Sequence, residues 1–386
     1  MGVNEILELL PDSVLEKLAI ETEVNHYSKK LQGQIVFKLL IYCILSHKDN
    51  SLRTMESAYE SIGFNLLNQG SEGKKVRYNS ISERLSKIKP AYFESLYKSC
   101  VTTYSKRLKA ADIGITRFDS TIVTESGKLL SSGYHLKGGD ADHVRQLKFT
   151  IGYSDIPIVA KFFTEQKYTS ENTALKEAIL SAQPDKDNGI QVFDKGITSR
   201  NTYDEFIERR IPFVSRVGEK CKSKECLPNS LGSPIDTPTL TIVSDSWQYL
   251  FSSKRSKHPV RIIRAIIKST GMPIAFVTSI ADLDTETITC IYKRRWDIEV
   301  FFKFLKQHLN FSHLINRSEN GIKVIFYVTM IAAILVLVYK KENGLTGYKI
   351  MKQRFVQNLE TELVKEFVIL CGGNPDLVDK IMGRVT

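Results

Sequence analysis

The first hundred residues carry apolar positions at helical spacing. Val14, Leu15, Leu18 and Ala19 follow Ser13-x-x-Glu16, the pattern of a capping box, and predict a first helix. Ile35, Val36, Leu39, Leu40, Cys43 and Ile44 predict a second, and Leu52, Met55, Ala58 and Ile62 a third. Ser80-x-x-Glu83 repeats the capping pattern and predicts a short helix that Pro90 closes. From about Asp112 the period changes. Residues 115–123, 145–153 and 156–163 read as three consecutive strands. A helix from Glu171 to Ser181 then leads to a strand at 189–194, a helix from Ser199 to Arg210 and a fifth strand from Ile211 to Val217.

Beyond Val217 this α/β alternation stops. A Ser/Pro-rich loop (Ser223 to Pro238) precedes strand-like runs at 239–243, 260–267 and 274–280. Helical spacing returns from Ile291 to Lys306. The run from Val324 to Val338, about 15 residues, is shorter than the roughly 20 a bilayer span requires, so it predicts a buried core helix and no membrane partner. Ile350, Phe355, Leu359, Leu363, Phe367 and Leu370 give an amphipathic tail. The chain divides into helical residues 1–108, an α/β part at 112–217, a β-rich part at 218–280, a second α/β part at 281–342 and a helical tail at 343–386.

At 386 residues the chain can bury a large core, and its net charge of +11 suits a polyanionic partner. Six basic residues between Lys74 and Lys89 face one acid, Glu83. A helix-turn-helix that lays Arg84 and Lys87 on DNA fits this run, as does a bundle that only props its neighbour. The β-rich part carries nine Lys or Arg against four acids between Gly218 and Ile280, and includes Trp247. That indole can stack on an unpaired base or simply pack. Six irregularly spaced cysteines indicate a reducing compartment, and Cys221 and Cys226 lack a second pair for zinc. The start, Met1-Gly2-Val3-Asn4-Glu5-Ile6, has no apolar leader, which predicts a cytoplasmic, nucleoid-associated protein.

The chemistry concentrates near residue 300. On one helix Tyr292, Arg295, Glu299 and Lys306 fall within roughly 60° of each other, with Ile298, Phe301, Phe304 and Leu305 opposite. A carboxylate flanked by cations suits metal-assisted work on a phosphate, although many such stripes are merely solvated. Asp119 lies in a β-branched run, Ile115 to Val123, where an acid is costly unless a metal or an arginine balances it. Asp194 ends a short apolar strand before Lys195-Gly196, a position equally suited to a ligand or a helix cap.

Tyr-x2-Arg-x3-Glu-x6-Lys, with Asp119-Ser120-Thr121 and Asp194-x-Gly196, resembles the YREK signature of DDE transposases from bacterial insertion sequences. The resemblance implies a ribonuclease H-like mixed sheet with a β-rich insertion, preceded by a helical DNA-binding domain. It implies that Asp119, Asp194 and Glu299 hold two Mg²⁺ ions, with Mn²⁺ as substitute, for cleavage and strand transfer at transposon ends. Tyr292, Arg295 and Lys306 are then expected on the terminal phosphates, Lys148 as a basic group on the second strand, and a homodimer on DNA. A nuclease that only hydrolyses, or an inactive DNA-binding descendant, shares much of this pattern.

Overall fold

The computed structural model describes residues 7–8, 10–47, 49–68, 75–108, 114–126, 133–135, 144–182, 189–218, 221–229, 231, 233–251, 254–311 and 313–382. Lys74 of the basic run lies outside them. The chain opens with α1 (Asp12–Thr22), α2 (Gly33–Ser46), α3 (Leu52–Tyr59), α4 (Ile62–Leu67), α5 (Tyr78–Lys87) and α6 (Pro90–Leu108). Neither expected capping box forms: Pro11 and Arg77 hold the cap positions of α1 and α5, without side-chain bonds. Glu56 of α3 instead accepts from the Tyr78 N–H (2.9 Å) and Arg77 Nη1 (3.0 Å), capping α5 from another helix. Pro90 opens α6, where its missing N–H costs nothing.

Strands β1 (Ile115–Ser126), β2 (Tyr134–His135), β3 (Val144–Ser154) and β4 (Ile156–Phe163) follow, then α7 (Glu171–Ser181), β5 (Ile190–Phe193), α8 (Arg200–Glu208) and β6 (Phe213–Val217). β1 pairs antiparallel with β3, and β3 with β4. On its other side β1 pairs parallel with β5, and β5 with β6. The resulting order β4-β3-β1-β5-β6 is that expected of a ribonuclease H-like sheet.

The β-rich part does not form a body of its own. It comprises β7 (Lys222–Asn229), β8 (Ile235–Asp236), β9 (Leu240–Phe251), β10 (Val260–Ile267) and β11 (Pro273–Thr278). β11 pairs antiparallel with β6, and the sheet continues through β10 and β9 to β7, giving eleven strands among the described residues. The expected Ser/Pro loop therefore contains β7 and β8. β7 escapes an apolar-alternation search because Lys222, Lys224, Glu225, Cys226 and Leu227 are all exposed on a sheet rim.

The expected helix from Ile291 to Lys306 is two: α9 (Thr285–Lys293) and α10 (Trp296–His308), broken at Arg294 and Arg295. α11 (Glu319–Glu342), α12 (Tyr348–Leu370) and α13 (Asp376–Ile381) complete the chain. α11 is buried continuously from Val324 to Tyr339, and its Thr329 hydroxyl is satisfied by the Ile325 carbonyl (2.8 Å). It is the core helix predicted from Val324 to Val338. One apolar cluster joins α1 to α6 with β3, α10, α11 and α12, so the N-terminal helices share their core with the sheet. A second cluster holds Phe118, Phe193 and Phe213 against α7 and α8, and a third holds Val192 and Val214 against Ile288, Ile291 and Tyr292 of α9.

Candidate active site

Two of the three acids are placed by strand register. Phe118 of β1 is aligned with Phe193 of the parallel β5, so Asp119 and Asp194 are the next residues on adjacent chains. Neighbouring strands lie about 4.8 Å apart and side chains alternate between faces. Phe118 and Phe193 join the cluster on one face. The acids therefore project with Arg117 and Val192 toward the other, where α9 and α10 meet. Arg117 fixes that meeting point. It is 2% exposed, donates through Nε to the Arg294 carbonyl (3.3 Å), and its Nη2 lies 3.2 Å from Asp297 Oδ2.

The helix break does not scatter the expected stripe. Tyr292 Oη donates to Asp194 Oδ1 (2.9 Å), and Arg295 Nη2 donates to Glu299 Oε1 (2.5 Å). Arg216 Nε lies 3.8 Å from Asp194 Oδ1. The Arg295 charge acts on both Asp119 and Asp194, so one guanidinium balances all three acids. Lys306 lies two turns further along α10 and is exposed. A hollow of about 590 Å³ opens at the break, lined by Tyr292, Arg295 and Trp296, the last 61% exposed.

The acids differ in electrostatic state. Burial pushes Asp119 up to about 6, and Glu171 and Glu299 add to the rise; the Ser120 N–H (2.8 Å) and Arg295 offset only part of it. Burial also acts on Asp194, but the Lys195 N–H, Tyr292, Arg295 and Arg216 outweigh it and hold this acid below its ordinary range. Burial, and then the Asp194 charge, raise the Tyr292 hydroxyl, which stays a donor.

Two expected DNA contacts are corrected by the structure. Lys148 is 1% exposed and is aligned with Ile122, whose alternation places it on the face opposite Asp119. Its ammonium binds Glu171 Oε2 (3.0 Å) and the Thr169 carbonyl (3.1 Å), so in this structure it supports the Glu171 carboxylate and is not free for a phosphate. Arg84 donates to the Leu31 (2.8 Å) and Val24 (2.6 Å) carbonyls and ties α5 to the turn before α2. Lys87 is exposed in an ion pair with Glu83, and Trp247 is half-buried in mid-β9 opposite Arg261 and Leu227. The sequence reading missed Glu171, Arg117 and Arg216, which no local pattern distinguishes from other charged residues.

The family model of the transposase DDE domain matches residues 111–336, more than half of the chain and the span that holds all three acids. The chain belongs to the DDE transposases. It is 25% identical over 334 residues to a protein of Synechocystis sp. named as a transposase for insertion sequence element IS4SA, covering 82% of this chain and 85% of that one. It is 28% identical over 149 residues to one of Geobacillus stearothermophilus named as a transposase for element IS5377, covering 38% of each. A transposase of Sinorhizobium fredii named y4zB is 26% identical over 156 residues, 40% of this chain and 44% of that one. The protein is thus an enzyme of DNA transposition, acting on DNA, and enzymes of this family use divalent metal ions.

The donor set of the transposase suits such an ion. Three carboxylates are hard oxygen ligands, and Asp119 is half-buried with its charge only partly balanced. Among the described residues, no three His, Cys, Asp or Glu side chains gather closely enough to ligate a metal as they stand. Arg295 is the counter-charge in this structure.

Proposed function

We propose that the enzyme belongs to the YREK branch of its family and performs metal-dependent cleavage and strand transfer at the ends of an insertion sequence. The observation that carries this reading is the parallel register of β1 and β5, which sets Asp119 beside Asp194 under Arg295 and Glu299. Asp119, Asp194 and Glu299 would hold two Mg²⁺ ions, or Mn²⁺ in their place. Bound there, the ions supply a more acidic attacking water or 3′-hydroxyl and stabilise the leaving oxygen.

The remaining roles fall to the chain's own side chains. Tyr292 orients Asp194 through its hydroxyl. Arg295 balances the acids in the free protein and, with Lys306, grips phosphate when DNA is present. Arg117 positions Arg295 by holding the helix break. The exposed Lys75 and Arg77 before α5 and Lys87 within it support a DNA-reading role for residues 1–108, beside segments 112–217, 218–280, 281–342 and 343–386 that are joined through one sheet and shared cores. Half-buried Trp247 remains the candidate for stacking on an unpaired base. Phe367, Leu370, Leu377 and Ile381 leave an apolar strip exposed on α12 and α13, which supports a homodimer in the DNA complex. Cytoplasmic, nucleoid-associated residence is part of the same reading.

The decisive experiment incubates the protein with its element's end, a target plasmid and Mg²⁺. Joined products are expected. Nicks alone would reduce the activity to hydrolysis, and uncut but bound DNA would leave only a binding protein. Replacing the exposed Lys75, Arg77 and Lys87 by Glu in the full chain, which leaves the shared core intact, is expected to abolish preference for the end over scrambled DNA in gel-shift competition; undiminished preference would place recognition elsewhere.

A further inference from the structure

Next to Asp194 the surface continues as a groove that none of the roles above uses. It runs from Lys195 past Arg216 and Cys221 and opens over the outer strands toward Arg264, in a hollow of about 940 Å³. A recess of about 240 Å³ shares the wall of Lys195, Arg216 and Cys221 and reaches Arg200 at the start of α8. Four cations line these two spaces, and no Asp or Glu does among the described residues.

The cations are weakly compensated. Among the described residues Arg264 has only neutral partners, Ser223 Oγ (3.3 Å) and Gln248 Oε1 (3.5 Å). Arg200 Nε and Arg264 Nη1 are buried and donate to no acceptor among the described residues. Cys221 lines both spaces, the recess together with Arg200 of α8 and the groove together with Arg264 of β10. Apart from Asp194 beside Arg216, no described acid answers these like charges from separate elements, and such a set is costly unless a polyanion completes it. A face that were merely solvated would not bury two of their N–H groups.

We infer that this groove holds the sugar–phosphate backbone of the DNA strand leading away from the acids, with Arg200 and Arg264 gripping a phosphate over Cys221. The inference rests on the reading of the acids as a DNA-cutting centre. Phosphate contacts of this kind add affinity without base preference, and each contributes to the salt dependence of binding.

The test uses the full chain and a duplex oligonucleotide of mixed sequence. Arg200→Gln and Arg264→Gln are each expected to lower the slope of log affinity against log salt by about 0.9, and the double variant by about twice that. Independently, alkylation of Cys221 in the unaltered protein, read by peptide mass spectrometry, is expected to slow severalfold when DNA is bound. The exposed Cys371 serves as the control whose labelling does not change. An unchanged slope in the double variant, or equal Cys221 labelling with and without DNA, overturns the groove. If cleavage still depends on Asp119 in that case, the groove falls alone; if the unaltered protein binds no DNA, the reading of the acids falls with it.

Discussion

Two of the places that set carboxylates against an arginine do so in opposite ways. In the outer sheet Asp245 and Arg261 are 1% and 4% exposed. Arg261 grips Asp245 through Nε (2.9 Å) and Nη2 (2.6 Å), and the Thr285 hydroxyl at the start of α9 adds a third donor (2.5 Å). The other arm of Arg261 donates to the Leu283 carbonyl (2.6 Å). Every charge there is answered, and the cluster anchors the helix that carries Tyr292. At the centre, Arg295 is shared among three acids, Arg216 reaches only Asp194, and Asp119 is left with a raised proton affinity. A satisfied pair holds structure; an unsatisfied one holds capacity for chemistry.

The contrast is tested most severely by removing acids from each place. Asp119→Ala, Asp194→Ala and Glu299→Ala are each expected to abolish cleavage of end DNA in Mg²⁺ while the protein stays folded and binds DNA, because such ligands act as a unit. Cleavage near the unaltered rate in any one variant removes that residue from the site. Asp245→Ala should do the reverse by leaving Arg261 buried and unpaired. A loss of about 3–5 kcal/mol in stability is expected from urea unfolding. A loss below about 1 kcal/mol would mean that water readily replaces the carboxylate.

A smaller effect follows from the proton affinity of Asp119. Its folded pKa, about 6, lies above the ordinary value of 3.8, so the folded state binds this proton more tightly than the unfolded chain. Stability from this group is therefore fully present below about pH 4 and is lost as pH rises through about 6. By pH 8 the ionised carboxylate costs up to about 3 kcal/mol. In EDTA, Asp119→Asn is expected to be more stable than the unaltered protein at pH 8 and equal to it at pH 4. A difference that does not vary with pH would show that Asp119 is already well balanced. The mildest perturbation is Lys306→Ala, outside both clusters, expected to lower the salt slope of end binding by about 0.9 and leave folding untouched. An unchanged slope makes Lys306 a solvated residue.

What the sequence discloses and what it hides divide along the same line. Asp119 stood out because a carboxylate inside a β-branched strand needs a reason, and the spacing from Tyr292 to Lys306 survived a helix break that periodicity did not reveal. Partnerships between distant residues were hidden. Arg84 reads as free positive charge until the Val24 and Leu31 carbonyls are brought to it, and Glu56 gives no sign that it caps α5. Lys148 shows how far register matters: one position along β3 decides whether an ammonium faces the acids or the opposite side. The rim strand β7 was illegible because an edge needs no apolar face.

The pairing of β6 with β11 gives the outer strands a mechanical character. Hydrogen bonds run without a gap from β5, which ends one residue before Asp194, to the far rim at β7, so the strands between them form one continuous plate. A displacement of that rim would be carried through paired backbone to β6, the strand that carries Arg216 beside Asp194.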